Sequence, residues 1–148
     1  MEIKRIVALG NDHVAHDLKF VLKRDLEEMG YEVINFGCDS SAPVDYPCYA
    51  KAVAEAITEN RAAWGVLVCG SGIGISIAAN RFPKIRAAPV HDALGARLAR
   101  EHNNANVLCL GAQMTGTWLA RDCLKQFFST DFAEVAHGRR VDMLATLL

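Results

Sequence analysis

Little in this sequence speaks for a membrane, secretion or a metal. No run approaches the roughly 18 consecutive apolar residues that suggest a membrane span. The opening Met1-Glu2-Ile3-Lys4-Arg5 leads into a short apolar stretch instead of the long apolar region of a signal peptide. The five cysteines, Cys38, Cys48, Cys69, Cys109 and Cys123, are odd in number, widely spaced and without a C-x-x-C pair, which argues against a disulfide framework or a zinc site. An excess of one charge is also missing. With 16 basic against 17 acidic residues the net charge is −1, so nothing draws the chain to nucleic acid or a membrane surface. Repeats, low-complexity tracts and linkers are absent. Together these absences predict a soluble, cytoplasmic protein in a reducing compartment.

What the chain does have is apolar content: 51% of its 148 residues, enough for one domain, residues 1–148, with a core that needs no staples. Apolar runs ending in glycine or polar residues alternate with amphipathic stretches, the pattern of βαβ units. The strands are read at Arg5–Gly10, Glu32–Phe36, Trp64–Cys69, Ala87–Val90 and Val107–Leu110. Continuous runs such as Ile6-Val7-Ala8-Leu9 and Val66-Leu67-Val68 suit strands buried on both faces. Helices are read at Ala15–Met29, Tyr49–Thr58, Gly74–Asn80, Asp92–His102 and Thr115–Phe128, with Gly30 ending the first and Asp92 capping the fourth. Arg139–Leu148 reads as a last short helix whose Val141, Leu144, Leu147 and Leu148 need a surface to dock on. Right-handed crossovers then predict an α/β fold: a doubly wound, Rossmann-like three-layer sandwich around a five-stranded parallel sheet.

In such a sheet ligands bind beyond the carboxyl ends of the strands. The segment Cys69-Gly70-Ser71-Gly72-Ile73-Gly74 follows the third strand, and its three glycines permit close backbone approach and leave N–H groups free for an anion. The same glycines would also serve a tight turn with no ligand. Cys69 sits at the strand end beside a helix N-terminus, a setting that generally favours thiolate, so base, nucleophile or plain buried cysteine are the readings. The spacing does not match a dinucleotide fingerprint, because Ile75 stands where the third glycine of G-x-G-x-x-G belongs, although Asp92 lies where a ribose-binding acid would. No P-loop lysine follows.

Asp12-His13 follows the first strand, where a carboxylate and an imidazole can hydrogen-bond a polyhydroxylated ligand; a helix cap with an exposed histidine is the plainer reading. His102 closes the fourth helix ahead of Asn103, Asn104 and Asn106. It reads as a helix-terminal residue or, if it reaches the glycine loop, as an acid–base group suited to neutral pH. Cys69 with His102 would also make a thiol hydrolase, and the glycine loop with Asp92 a nucleotide-binding module.

Taken in order, Asn11-Asp12-His13, Asp45-Tyr46-Pro47, Val68 through Asn80, Arg86-Ala87-Ala88 and Glu101-His102-Asn103-Asn104-Ala105-Asn106 closely resemble the ribose-5-phosphate isomerase B family, which includes the galactose-6-phosphate isomerase subunits. The resemblance spans nearly the whole chain. It implies an aldose–ketose isomerase that needs neither metal nor cofactor and works on a small sugar phosphate as a homodimer or homotetramer with active sites shared between subunits. In that family the residue matching His102 opens the furanose ring and the one matching Cys69 moves a proton from C2 to C1 through a cis-enediolate. Ser71 would shuttle a proton between O1 and O2. Asp12, His13, Tyr46, Gly70, Gly72, Ile73, Gly74, Asn103, Gln113 and Arg140 would bind substrate, and residues 136–148 would pack on the neighbouring subunit. The chain departs from the family at the phosphate end. Gln113 and Ala136 stand where arginines are usual and Arg140 remains, with Arg139, Lys19 or His137 as candidates to compensate.

Overall fold

The structure, a computed structural model, describes residues 2–147. Along the chain run β1 (Ile6–Asn11), α1 (His16–Glu28), β2 (Glu32–Asn35), α2 (Tyr46–Thr58), β3 (Trp64–Cys69), α3 (Ile73–Ala79), β4 (Ala87–Pro89), α4 (Ala93–Asn103), β5 (Val107–Gly111), α5 (Thr117–Ser129) and α6 (Glu134–Leu144). The five strands pair in parallel in the order β2-β1-β3-β5-β4. The continuous apolar runs are the three central strands β1, β3 and β5, buried almost throughout, while the short, less apolar β2 and β4 form the edges.

Crossover handedness sorts the helices. The steps β1 to β2 and β4 to β5 run one way across the sheet, and β2 to β3 and β3 to β4 run the other, so right-handed crossovers put α1 and α4 on one face and α2 and α3 on the opposite one. The two cores follow this division. Leu18, Leu22, Ala96, Ala99, Leu124 and Phe127 pack with Leu9 and Val66 on one side, and Val53, Ala54, Ile75 and Ala79 pack with Ala8 and Leu67 on the other. The result is the three-layer sandwich expected from the sequence.

Local signals hold at most boundaries. Gly30 adopts φ +92° and its N–H donates to Glu27 O, ending α1. The Asp92 carboxylate accepts the Gly95 N–H at 2.7 Å, capping α4. Two helices differ from expectation by three residues or more. α2 starts at Tyr46 rather than Tyr49, because Pro47 in the first turn has a fixed φ and lacks only an N–H that no helical carbonyl would have accepted. α6 runs Glu134–Leu144 rather than Arg139–Leu148; Glu134 suits the positive end of a helix, and the Ala133 N–H ties its start to Glu101 O of α4. Leu148 lies outside the described residues. Val141 is half-buried and Leu144 and Leu147 are exposed, so within one chain the apolar face of this segment stays largely uncovered.

Candidate functional site

From β1 the chain turns to one side of the sheet and from β3 to the other, which opens a crevice between the carboxyl ends of these adjacent strands. Asp12 and Cys69 stand at its two lips, joined by an Asp12 N–H to Val68 O bond of 3.2 Å. Asp12 is buried, and its Oδ1 accepts the Val14 N–H at 3.1 Å to cap a short 3-10 turn, His13–Ala15, so the capping expectation holds. His13 is not simply exposed. Its Nδ1 accepts the Val44 N–H at 3.2 Å, which requires an unprotonated Nδ1 and leaves the ring proton on Nε2.

On the other lip the buried Cys69 Sγ accepts the Gly72 N–H at 3.2 Å, and Ser71 Oγ accepts the Ile73 N–H at 3.2 Å. The loop thus curls around the thiol. The N–H groups of Gly70, Ser71 and Gly74 remain without an acceptor among the described residues. Gly72 makes the curl possible: it adopts φ +77°, and a Cβ there would stand 2.9 Å from the Leu110 carbonyl carbon. At Gly74 a Cβ would lie 2.7 Å from the Tyr46 ring, so the phenol of α2 rests directly on the first turn of α3. Gln113, just past β5, donates its N–H to Gly70 O at 3.0 Å and lays its side-chain oxygen over Gly70. Burial pushes the Cys123 thiol up to about 11 and the Cys109 thiol further still, which marks both as core residues.

The remaining predicted residues lie elsewhere. α4 runs antiparallel to the strands, so His102 in its last turn lies five residues before Val107, whereas Cys69 is in register with Gly111 at the far end of β5. That strand alone spans roughly 13 Å. His102 stacks on His137 of α6, with ring centroids 4.3 Å apart at 29°. Asn103 and Arg140 are exposed at this same amino edge. Within one chain the fold therefore gathers Asp12, His13, Tyr46, Cys69, Gly70, Ser71, Gly72, Ile73, Gly74 and Gln113, and separates them from His102, Asn103 and Arg140. Within one chain the same separation parts Cys69 from the histidine of the thiol hydrolase reading. Asp92, the acid of the nucleotide reading, caps α4 with its Oδ1.

Two elements escaped the sequence reading. The turn after Asn103 is gripped by arginines: Arg86 Nε donates to Asn104 O at 2.8 Å, and the buried Arg100 donates to Asn104 Oδ1 at 2.8 Å and Ala105 O at 2.6 Å under the Trp64 ring. Burial lowers the pKa of both guanidiniums. Lys19 is the second. Expected as a substitute phosphate ligand, it is fully buried, with its ammonium on Asn35 Oδ1 at 3.3 Å, Cys38 O at 3.0 Å and Asp39 Oδ1. Its position gave a signal: Lys19 falls inside the buried stripe Ala15, Leu18, Leu22 and Leu26, where a solvated lysine does not belong.

Residues 7–144 match the family model described as Ribose/Galactose Isomerase. Ribose-5-phosphate isomerase B of Escherichia coli is 39% identical over 141 residues, covering 95% of each chain. The galactose-6-phosphate isomerase subunit LacB of Clostridium acetobutylicum is 34% identical over 136 residues, covering 92% of this chain and 79% of the relative. Among solved structures, ribose-5-phosphate isomerase B of Clostridium thermocellum superposes with a TM-score of 0.94 at 39% identity, covering 96% of each chain.

Proposed function

Because the chain belongs to the ribose/galactose isomerase family of aldose–ketose isomerases acting on sugar phosphates, we propose that it interconverts ribose 5-phosphate and ribulose 5-phosphate, with Cys69 as the base. The observation that carries this reading is the curl of Gly70–Gly74 around the Cys69 thiol at the switch point, facing Asp12 and His13. Ring opening is assisted by His102, which takes the proton of the C1 hydroxyl and delivers it to the ring oxygen as the C1–O bond of the ring breaks. The Cys69 thiolate then removes the C2 proton; the electron pair forms the C1–C2 double bond and the carbonyl electrons move onto O1. Ser71 relays a proton between O1 and O2, and the Cys69 thiol returns its proton to C1. The result is transfer of one proton from C2 to C1 and of one from O2 to O1. No redox cofactor is needed, because no electrons leave the substrate.

The free N–H groups of Gly70, Ser71 and Gly74 would stabilise the enediolate oxygen, an effect worth about 3 kcal/mol for a well-placed donor. Asp12, His13, Tyr46, Gly72, Ile73 and Gln113 line the sugar's surroundings. His102, Asn103 and Arg140 join them from a second copy, in a homodimer or homotetramer with shared sites. Their place at the opposite edge and the uncovered face of α6 support that assembly.

The test is a panel of kcat/KM values for ribose 5-phosphate, erythrose 4-phosphate, allose 6-phosphate, galactose 6-phosphate and the free sugars, repeated with Gln113→Arg. Turnover of ribose 5-phosphate should lead the panel. A cation beside Gly70 should raise its kcat/KM by about tenfold, the gain from one charge-assisted hydrogen bond to phosphate. A different sugar in the lead would replace the substrate while leaving the chemistry; no turnover of any would overturn the proposal.

A further inference from the structure

Lys19 has no role in the chemistry just described, yet it is 0% exposed and its ammonium meets three acceptors, one for each of its protons. All three lie on one segment, the stretch that leaves β2 toward α2. Asn35 Oδ1 also accepts the Gly37 N–H at 3.0 Å, and Asn35 Nδ2 donates to Asp39 Oδ1 at 2.9 Å, so the root of this segment is a closed knot around a single cation. Phe20 covers the ammonium, its ring centroid 4.4 Å away.

The knot connects to the site by two routes. Through the first, the Cys38 carbonyl that accepts from Lys19 also accepts from the buried Asn11 Nδ2 at 2.7 Å, and the same Nδ2 donates to Asp12 O at 2.8 Å. The Cys38 N–H returns to Asn11 O at 3.2 Å. Through the second, the segment continues to Val44, whose N–H fixes the His13 ring, and then to Tyr46, whose ring rests on Gly74. One segment therefore supports Asp12 from behind, sets which nitrogen of His13 carries the proton, and delivers Tyr46 to the glycine loop.

We infer that Lys19 is a positioning residue: a buried cation that holds the segment from Asn35 to Val44 so that Asp12 and the Nε2–H tautomer of His13 face the sugar. It touches no substrate. The inference rests on the isomerase reading only for its kinetic consequence; the geometric consequence stands apart from it.

The experiment uses the full-length protein with Lys19→Met, which keeps the bulk and removes the donors, and with Asp39→Ala, which removes one acceptor at an exposed position and so spares the core should the first variant fail to fold. Imidazole nitrogen NMR at about pH 8, where an ordinary histidine is neutral, reads the His13 tautomer without substrate. The wild type should show a protonated Nε2 alone. Lys19→Met should show both tautomers, and Asp39→Ala a smaller shift the same way. With ribose 5-phosphate, KM should rise in Lys19→Met and kcat/KM should fall by about ten- to a hundredfold, as expected when binding groups are misplaced by about an ångström. A lowered melting temperature with unchanged tautomer and KM in both variants would overturn the inference and leave Lys19 a stability residue. A tautomer shift in an enzyme that turns over no sugar phosphate would sustain the positioning role and reject the isomerase reading instead.

Discussion

At the carboxyl edge of the sheet the chemical side chains are held by main chain: Asp12 by Val14, His13 by Val44, Cys69 by Gly72 and Ser71 by Ile73, each accepting one backbone N–H. At the amino edge side chains hold one another. His102 leans on His137, Arg97 pairs with Glu101, and Arg139 reaches Met143 Sδ. Backbone donors cost no rotamer freedom to keep in place, so the first edge is organised within one chain. The second is held by its arginine-gripped turn and by the Ala133 N–H bond to Glu101 O, and its half-buried histidine pair and the uncovered face of α6 would gain order in the proposed assembly. The proposed shared site would join a rigid half to a half that assembly completes.

The strongest way to break this comparison is to remove the thiol. Cys69→Ala should fold normally, because a small side chain at a buried strand end leaves little cavity, and isomerisation should drop by about three orders of magnitude or more with loss of the base. Near-native turnover, measured with the melting temperature, would move the chemistry away from the carboxyl edge. The comparison is sharpened by mixing. Cys69→Ala and His102→Asn proteins, each weak alone, should regain activity when unfolded and refolded together, since a mixed dimer carries one site with both edges intact. Mixtures no better than their components would place both residues' work within one chain.

The smallest effect concerns Asp39. The Lys19 hydrogen bond holds its carboxyl below the ordinary value of 3.8. A depressed folded-state pKa adds stability above the unfolded value, and that increment disappears as pH falls from 3.8 through the lowered pKa. With the carboxylate 61% exposed, solvent limits the increment to about 1 kcal/mol. Denaturant titrations of wild type and Asp39→Ala should differ by a constant amount above about pH 5 and converge below it; a difference independent of pH would show that packing alone is at stake.

The carboxyl edge was legible because its signals are local. A glycine triplet after an apolar run, a cysteine at the strand end and Asp-His after the first strand each need only their neighbours to be read. The fold was legible for the same reason, with Gly30 and Asp92 marking helix ends by turn chemistry. Less could be seen where partners are far apart in sequence. Nothing near Lys19 announces Asp39, and nothing near His13 announces Val44, 31 residues on. His102 was legible as a residue and not as a location, since its distance from Cys69 follows from α4 running against the strands. The start of α6 was misjudged because its register is fixed by one bond to Glu101 rather than by a capping side chain.

The edge strand β4 carries a consequence for how copies of this chain can meet. Val90 donates its N–H inward to Cys109 O, so the alternate residue, Pro89, faces away from the sheet and offers no donor to anything beyond it. A foreign strand laid along that side would find one rung missing on a template only three residues long. Growth of the sheet from molecule to molecule, the route into fibrils, is disfavoured at this border.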